Sequence, residues 1–236
     1  MDISKLFFDL AEIESGGLGI WYEYLSKYRI ISKIKGIKTV LVCGLPEKYS
    51  IGLDSLYFLT KNKNLFIIDE RPNILNKYKK LAKKFTNKKF KNRLVKNFSK
   101  LPFKNNSFDL VISTEVLQRY KNNKKVAEEM ERVSKKYILC FVPNYYCYAH
   151  PKISKLNSLK FKDIKFKNIV KKGYIDIAPW PAGFKLQKNT KKEEFHIKII
   201  KGIMKLIIPM LVKVEFIYMP PIRQYLAHMI YVKAEK

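Results

Sequence analysis

Over the first two-thirds of the chain, apolar positions fall into short runs separated by polar stretches with helical spacing. Five runs read as strands: TVLVCG (39–44), LFIID (65–69), RLVKN (93–97), FDLVIST (108–114) and KYILCFVPN (136–144). The first, second, fourth and fifth are nearly continuous in apolar residues, the pattern of strands covered on both faces of a parallel sheet. The third is more polar and suits an edge. Between the second and third, Pro72 opens a stretch in which Ile74, Leu75, Tyr78, Leu81, Ala82 and Phe85 recur on one helical stripe, with five lysines opposite. Between the fourth and fifth, Val126, Ala127, Met130 and Val133 mark a second amphipathic helix, whose Glu128, Glu129, Glu131, Lys124, Lys125 and Arg132 face water. Strand and helix alternating in this way predict right-handed crossovers and a doubly wound, mostly parallel α/β sheet. Ligands of such sheets bind beyond the carboxyl ends of the strands, near the point where the strand order reverses.

The ends of the chain differ. Residues 1–36 carry apolar and aromatic positions at helical spacing around Ser15-Gly16-Gly17, which fits either a capping helix or a hinged lid. Residues 151–175 are Lys-rich, APWPAG (178–183) reads as a loop, and FHIKIIKGIMKLII (195–208) as a helix. VEFIYM (214–219) and HMIYVKAE (228–235) flank the turn PPIRQ and are expected to pair as a C-terminal antiparallel hairpin, bringing the sheet to seven strands.

Charge adds a question of partners. The 236-residue chain has 48 basic and 20 acidic residues, a formal net charge of +28. Residues 76–100 hold ten lysines and one arginine without an acid, and residues 152–172 hold eight lysines against Asp163. Such patches concentrate polyanions, either RNA or an anionic membrane surface, or else simply coat solvated helix faces. Cys43, Cys140 and Cys147 have no metal-ligand spacing and suit a reducing cytoplasm, and no metal site is expected. The acidic N-terminus does not read as a signal peptide. LIIPMLV (206–212), flanked by Lys205 and Lys213, is far short of the ~20 residues of a membrane span.

Two features carry the chemistry. Gly44 ends the first strand, and Asp69 ends the second, 25 residues later. That is a distance at which a carboxylate takes both hydroxyls of a ribose in a charge-assisted pair, although a carboxylate ahead of Pro72 also suits a helix N-terminus. Further on, LPFKNNSFDLVIST (101–114) joins a Leu-Pro-Phe turn to a polar turn and a buried strand. With Gly44 and Asp69, this segment resembles the class I S-adenosylmethionine-dependent methyltransferases, over residues 37–145.

The resemblance implies a Rossmann-like methyltransferase fold, with an N-terminal cap (1–36), a cofactor-binding core (37–150) and a substrate-side insertion with the last strands (151–236). It also implies S-adenosylmethionine as cofactor. Gly44, Leu45 and Gly52 would approach its methionine part. Asp69 would take the ribose and Glu70 would lie beside the adenine. Asn97, where the family usually has Asp, and the backbone of Phe98 would contact the ring. Ser113 and Thr114, with Glu115, would border the methyl group and the acceptor. Asn144 in VPNYY (142–146), His150 and Trp180 are candidates on the acceptor side. No catalytic base is assigned, since a sulfonium methyl is already activated and placement supplies much of the rate; His150 and His196 are the histidines considered. In the first loop Val42 stands where the family has an acid, and only Gly44 and Gly52 of its glycines remain, with Glu47 as a substitute carboxylate. Three functions follow from this reading. They are methylation of a small molecule or amphiphile, methylation of RNA through the lysine-rich surface, and non-catalytic binding on a methyltransferase fold.

Overall fold

In the computed structural model, residues 2–14, 17–47, 50–149, 158–177, 195–215, 217 and 220–236 are described. His150, Trp180 and the APWPAG loop lie outside them, as does the side chain of His196. Helices α1 (Ile3–Ile13) and α2 (Gly17–Ile31) precede strand β1 (Thr39–Cys43). A 3-10 turn (Leu53–Leu56) runs into the short α3 (Tyr57–Thr60), and then come β2 (Asn64–Asp69), α4 (Pro72–Phe85), β3 (Lys91–Leu94), β4 (Phe108–Thr114), α5 (Asn123–Val133) and β5 (Ser134–Pro143). The last third supplies β6 (Ile169–Ile175), α6 (Phe195–Val214), α7 (Pro220–Leu226) and β7 (Met229–Glu235).

The seven strands form one sheet in the order β3-β2-β1-β4-β5-β7-β6. β1 through β5 pair in parallel, and β7 is antiparallel to both β5 and β6, so it alone runs against the other six. The order reverses between β1 and β4, which places the switch point at Gly44 and Thr114. Alternation along the strands divides the core into two layers. Val40, Val42, Leu65, Ile67, Leu110 and Ile112 face a cluster with α1, α2 and α4. Leu41, Cys43, Ile68 and Val111 face a second cluster with Val126, Ala127, Met130 and Val133 of α5.

Asp109, the acid of the SFD segment, has a structural task. It accepts hydrogen bonds from the Lys38 N–H at 2.8 Å, the Thr39 N–H at 3.0 Å and the Thr39 hydroxyl at 3.1 Å. These bonds fix the start of β1 against β4. Burial raises its pKa, but the Lys38 and Thr39 donors outweigh that and hold it below the ordinary carboxylate range.

Three expectations for the last third are corrected. The described residues of VEFIYM form no strand: Val214 is the last residue of α6 and Glu215 lies in a turn. PPIRQ is not a turn but the first five residues of α7, where successive prolines supply the preset φ of a first helical turn. The partner of β7 is therefore β6, from the Lys-rich stretch. An edge strand needs only one covered neighbour, and Ile169, Val170, Lys171 and Lys172 are exposed.

Candidate cofactor edge

The carboxyl ends of β1, β2 and β4 bring Gly44, Leu45, Asp69, Glu70 and Thr114 to one edge of the sheet, as expected of a doubly wound fold. At Gly44 the backbone turns with φ +81°, and its N–H donates to the Ile68 carbonyl at 2.8 Å. A Cβ there would stand 2.2 Å from Val116 Cγ2 and 3.2 Å from Phe98 Cζ. Glycine is thus required by the chain's own side chains, which occupy the space in front of it.

Asp69 is fully buried and all its bonding capacity goes to neighbours within the chain. Its Oδ2 accepts from the Leu45 N–H at 2.8 Å and from Arg71 Nη2 at 2.9 Å. Its Oδ1 accepts from the Arg71 N–H at 2.9 Å and Arg71 Nε at 2.8 Å. The same guanidinium reaches Glu47 Oε2 at 2.5 Å and the Leu45 carbonyl at 2.6 Å. Arg71 therefore latches the end of β2 to the loop that follows β1. Glu47, considered as a substitute carboxylate, is part of the latch. A second guanidinium, Arg119, also donates to the Leu45 carbonyl, at 2.7 Å. Its Nη1 is buried without a hydrogen-bond partner among the described residues, and burial together with Arg71 lowers its pKa.

The other expected residues are engaged as well. The Tyr120 hydroxyl donates to Glu70, and its ring meets Phe98 edge-on at 6.1 Å. Burial and the Glu70 carboxylate push the Tyr120 pKa up. Asn97 accepts from the Ser99 N–H at 2.9 Å in an exposed local turn. Ser113 is buried and faces Cys140 across the β4–β5 ladder. Gly52 (φ +79°) sits between two N–H groups, those of Ile51 and Leu53, and both donate to Glu14 at the end of α1, at 2.7 and 2.8 Å. Gly44, Leu45, Gly52 and Thr114 do line a common cavity, of about 10 Å³, which holds one water at most.

Above the ends of β4 and β5, α2 buries a set of charges. Lys27 is 1% exposed, pairs with Glu23, lies 3.8 Å from Asp54, and sits over the rings of Tyr24 and Phe141. Burial lowers its pKa but the Glu23 and Asp54 carboxylates outweigh that, so Lys27 remains charged. Glu215, just past α6, takes hydrogen bonds from Arg29, from the Tyr22 hydroxyl at 3.1 Å and from the Ile177 N–H at 3.3 Å. Asn144 is likewise committed to the fold. Its Nδ2 donates to the carbonyls of Gln224 (2.7 Å) and Ala227 (2.8 Å), and its Oδ1 accepts from the Tyr146 N–H (3.1 Å).

Sequence reasoning missed Glu14, Arg71, Val116, Arg119 and Tyr120. Only Arg71 left a usable signal, an arginine two residues beyond the ribose candidate and in reach of the same carboxylate. The others arrive through packing of distant segments.

Residues 51–141 match the family model described as a methyltransferase domain. The chain is similar to a methyltransferase domain over those residues, which are less than half of its length. Its fold is that of a protein of Bacillus halodurans assigned to the methyltransferases, at a TM-score of 0.53 and 14% identity, over 90% of this chain and 98% of that one. A SAM-dependent methyltransferase of Aquifex aeolicus aligns at a TM-score of 0.41 and 19% identity, over 51% of this chain and 64% of that one. The magnesium protoporphyrin IX methyltransferase of Synechocystis, a structure with bound SAM, aligns at 0.46 and 12% identity, over 91% of this chain and 76% of that one. No curated protein matches the sequence. As arranged, the edge does not fit a nucleoside cofactor: the Asp69 carboxylate is saturated, and the cavity is water-sized.

Proposed function

We propose that the chain is an S-adenosylmethionine-dependent methyltransferase for a small-molecule or amphiphilic acceptor, with a cofactor edge that opens when Arg71 releases Asp69. The observation that carries this reading is the convergence of Gly44, Asp69, Glu70, Phe98 and Thr114 at one edge of a sheet in a chain whose residues 51–141 match a methyltransferase domain. An ionised Asp69 freed of Arg71 regains the acceptor oxygens that two vicinal hydroxyls need.

A second reading, a non-catalytic protein on the same fold, is favoured by the four hydrogen bonds that consume the Asp69 carboxylate. Thermal unfolding with S-adenosylmethionine or S-adenosylhomocysteine separates the two. The methyltransferase reading expects about 2.7 kcal/mol of stabilisation at ~100 times the Kd, a rise of roughly 5–10 °C for a chain of this size. No rise with either compound, in the wild type and in Arg71→Ala alike, selects the second reading.

A further inference from the structure

Among the described residues, the most extensive exposed apolar surface on a regular element belongs to α6. Its inner face seats Ile208 and Val212 in the core beside α2, with Met204 and Leu211 packed against them. The opposite face is apolar too. Ile199 (46% exposed), Ile203 (50%), Leu206 (74%), Ile207 (39%), Met210 (65%) and Val214 (41%) follow i, i+4, i+7, i+8, i+11, i+15, a single stripe about 100° wide. The element carries Lys198, Lys201, Lys205 and Lys213 and no acid. Exposed apolar surface continues along the chain in Ile217 (67%), Ile222 (41%) and Tyr225 (55%).

We propose that α6 is a membrane-docking helix, which lies in the plane of an anionic lipid surface with Leu206 and Met210 at the centre of the inserted face. Three features select this occupant. An apolar stripe on a helix that carries four lysines and no acid is the composition of helices that sit at a charged lipid interface. A second copy of the chain would bring another formal +28 against the first. RNA would use the lysines and leave the apolar stripe in water, since phosphates give it nothing to bury against. No helix among the described residues is long and apolar enough to cross a membrane, so the contact is peripheral.

The docking inference rests on α6 and stands whether or not the cofactor edge opens, so its test reads lipid binding rather than methyl transfer. The full chain is floated with vesicles of phosphatidylcholine alone and of phosphatidylcholine with phosphatidylglycerol. Association with the mixed vesicles is expected, and Leu206→Glu/Met210→Glu is expected to weaken it by about a hundredfold or more. Both residues are exposed, so the thermal midpoint should hold. An independent variant, Met210→Trp, should shift its emission to the blue on mixed vesicles and be quenched by brominated lipid. The proposal is overturned if the wild type ignores anionic vesicles. It is also overturned if the double variant binds them as the wild type does, which would mean that net charge alone acts. A dimer that the double variant dissolves, or RNA binding that it abolishes, with no lipid association in either case, would assign the stripe to that partner.

Discussion

At the scale of single residues, the decisive pair is Asp69 and Arg71. A carboxylate at the end of β2 is where the sequence places the ribose acceptor, and the structure brings it to that edge. The neighbouring arginine then fills both of its oxygens, which the residue types alone do not show, because Arg71 could equally have pointed to solvent ahead of Pro72. Removing that side chain should have opposite effects on the free and liganded protein. Arg71→Ala leaves a buried carboxylate with less compensation, so the free protein should lose roughly 3 kcal/mol. Its affinity for S-adenosylmethionine should rise about tenfold, measured by calorimetric titration, because the competing guanidinium is gone. Gly44 tests packing at the same edge. With φ +81° and Val116 Cγ2 at 2.2 Å from a Cβ, Gly44→Ala should cost about 3 kcal/mol or more in urea unfolding, whether or not a ligand is present.

At the scale of elements, the strands between 39 and 144 were legible because both faces are covered, so apolar content alone marks them. The amphipathic stripes of α4 and α5 were equally clear, and their Ile74, Leu75, Tyr78, Val126 and Met130 are buried as expected. The last third was harder for identifiable reasons. β6 is an edge strand whose apolar residues are split into two short pairs by Lys171, Lys172 and Gly173, so no continuous apolar run marks it. VEFIYM has strand composition, yet Glu215 at its second position is 1% exposed and bonds to α2, which a strand register cannot provide here. Asn144 shows the same limit. Its place after β5 suggested the acceptor side, while its contacts clip β5 to α7 and the start of β7. Asn144→Ala should therefore destabilise the fold by roughly 2–4 kcal/mol, since two carbonyls and an N–H lose a buried partner. Urea unfolding and circular dichroism check this directly.

At the scale of the whole molecule, the formal charge of +28 coexists with acids buried above the carboxyl edge. Burial pushes the Glu14 pKa from 4.5 to about 7, against the lowering effect of its bonds from Tyr24, Ile51 and Leu53. Burial raises Asp54, Asp176 and Glu215 as well. A carboxyl whose folded pKa is raised binds its proton more tightly in the native state. Its contribution is full below the unfolded pKa and is lost as pH rises through the folded value. For Glu14 that window runs from 4.5 to about 7. Glu14→Gln keeps an acceptor for one loop N–H and cannot ionise, so stability measured by urea unfolding should fall less steeply across this window than in the wild type. Flat wild-type stability over the same range would contradict the assignment. The fold and the location of the edge were thus readable from strand pattern and spacing. The closure of that edge was not, because Glu14, Arg71, Val116 and Tyr120 act through tertiary contacts.

The proposed methyltransferase reading requires a cofactor edge held behind an arginine latch. Calorimetric titration of S-adenosylmethionine into the wild type and Arg71→Ala tests it most directly. Measurable binding to the wild type and tighter binding to the variant are predicted; no binding to either protein, with both folded, would contradict the claim.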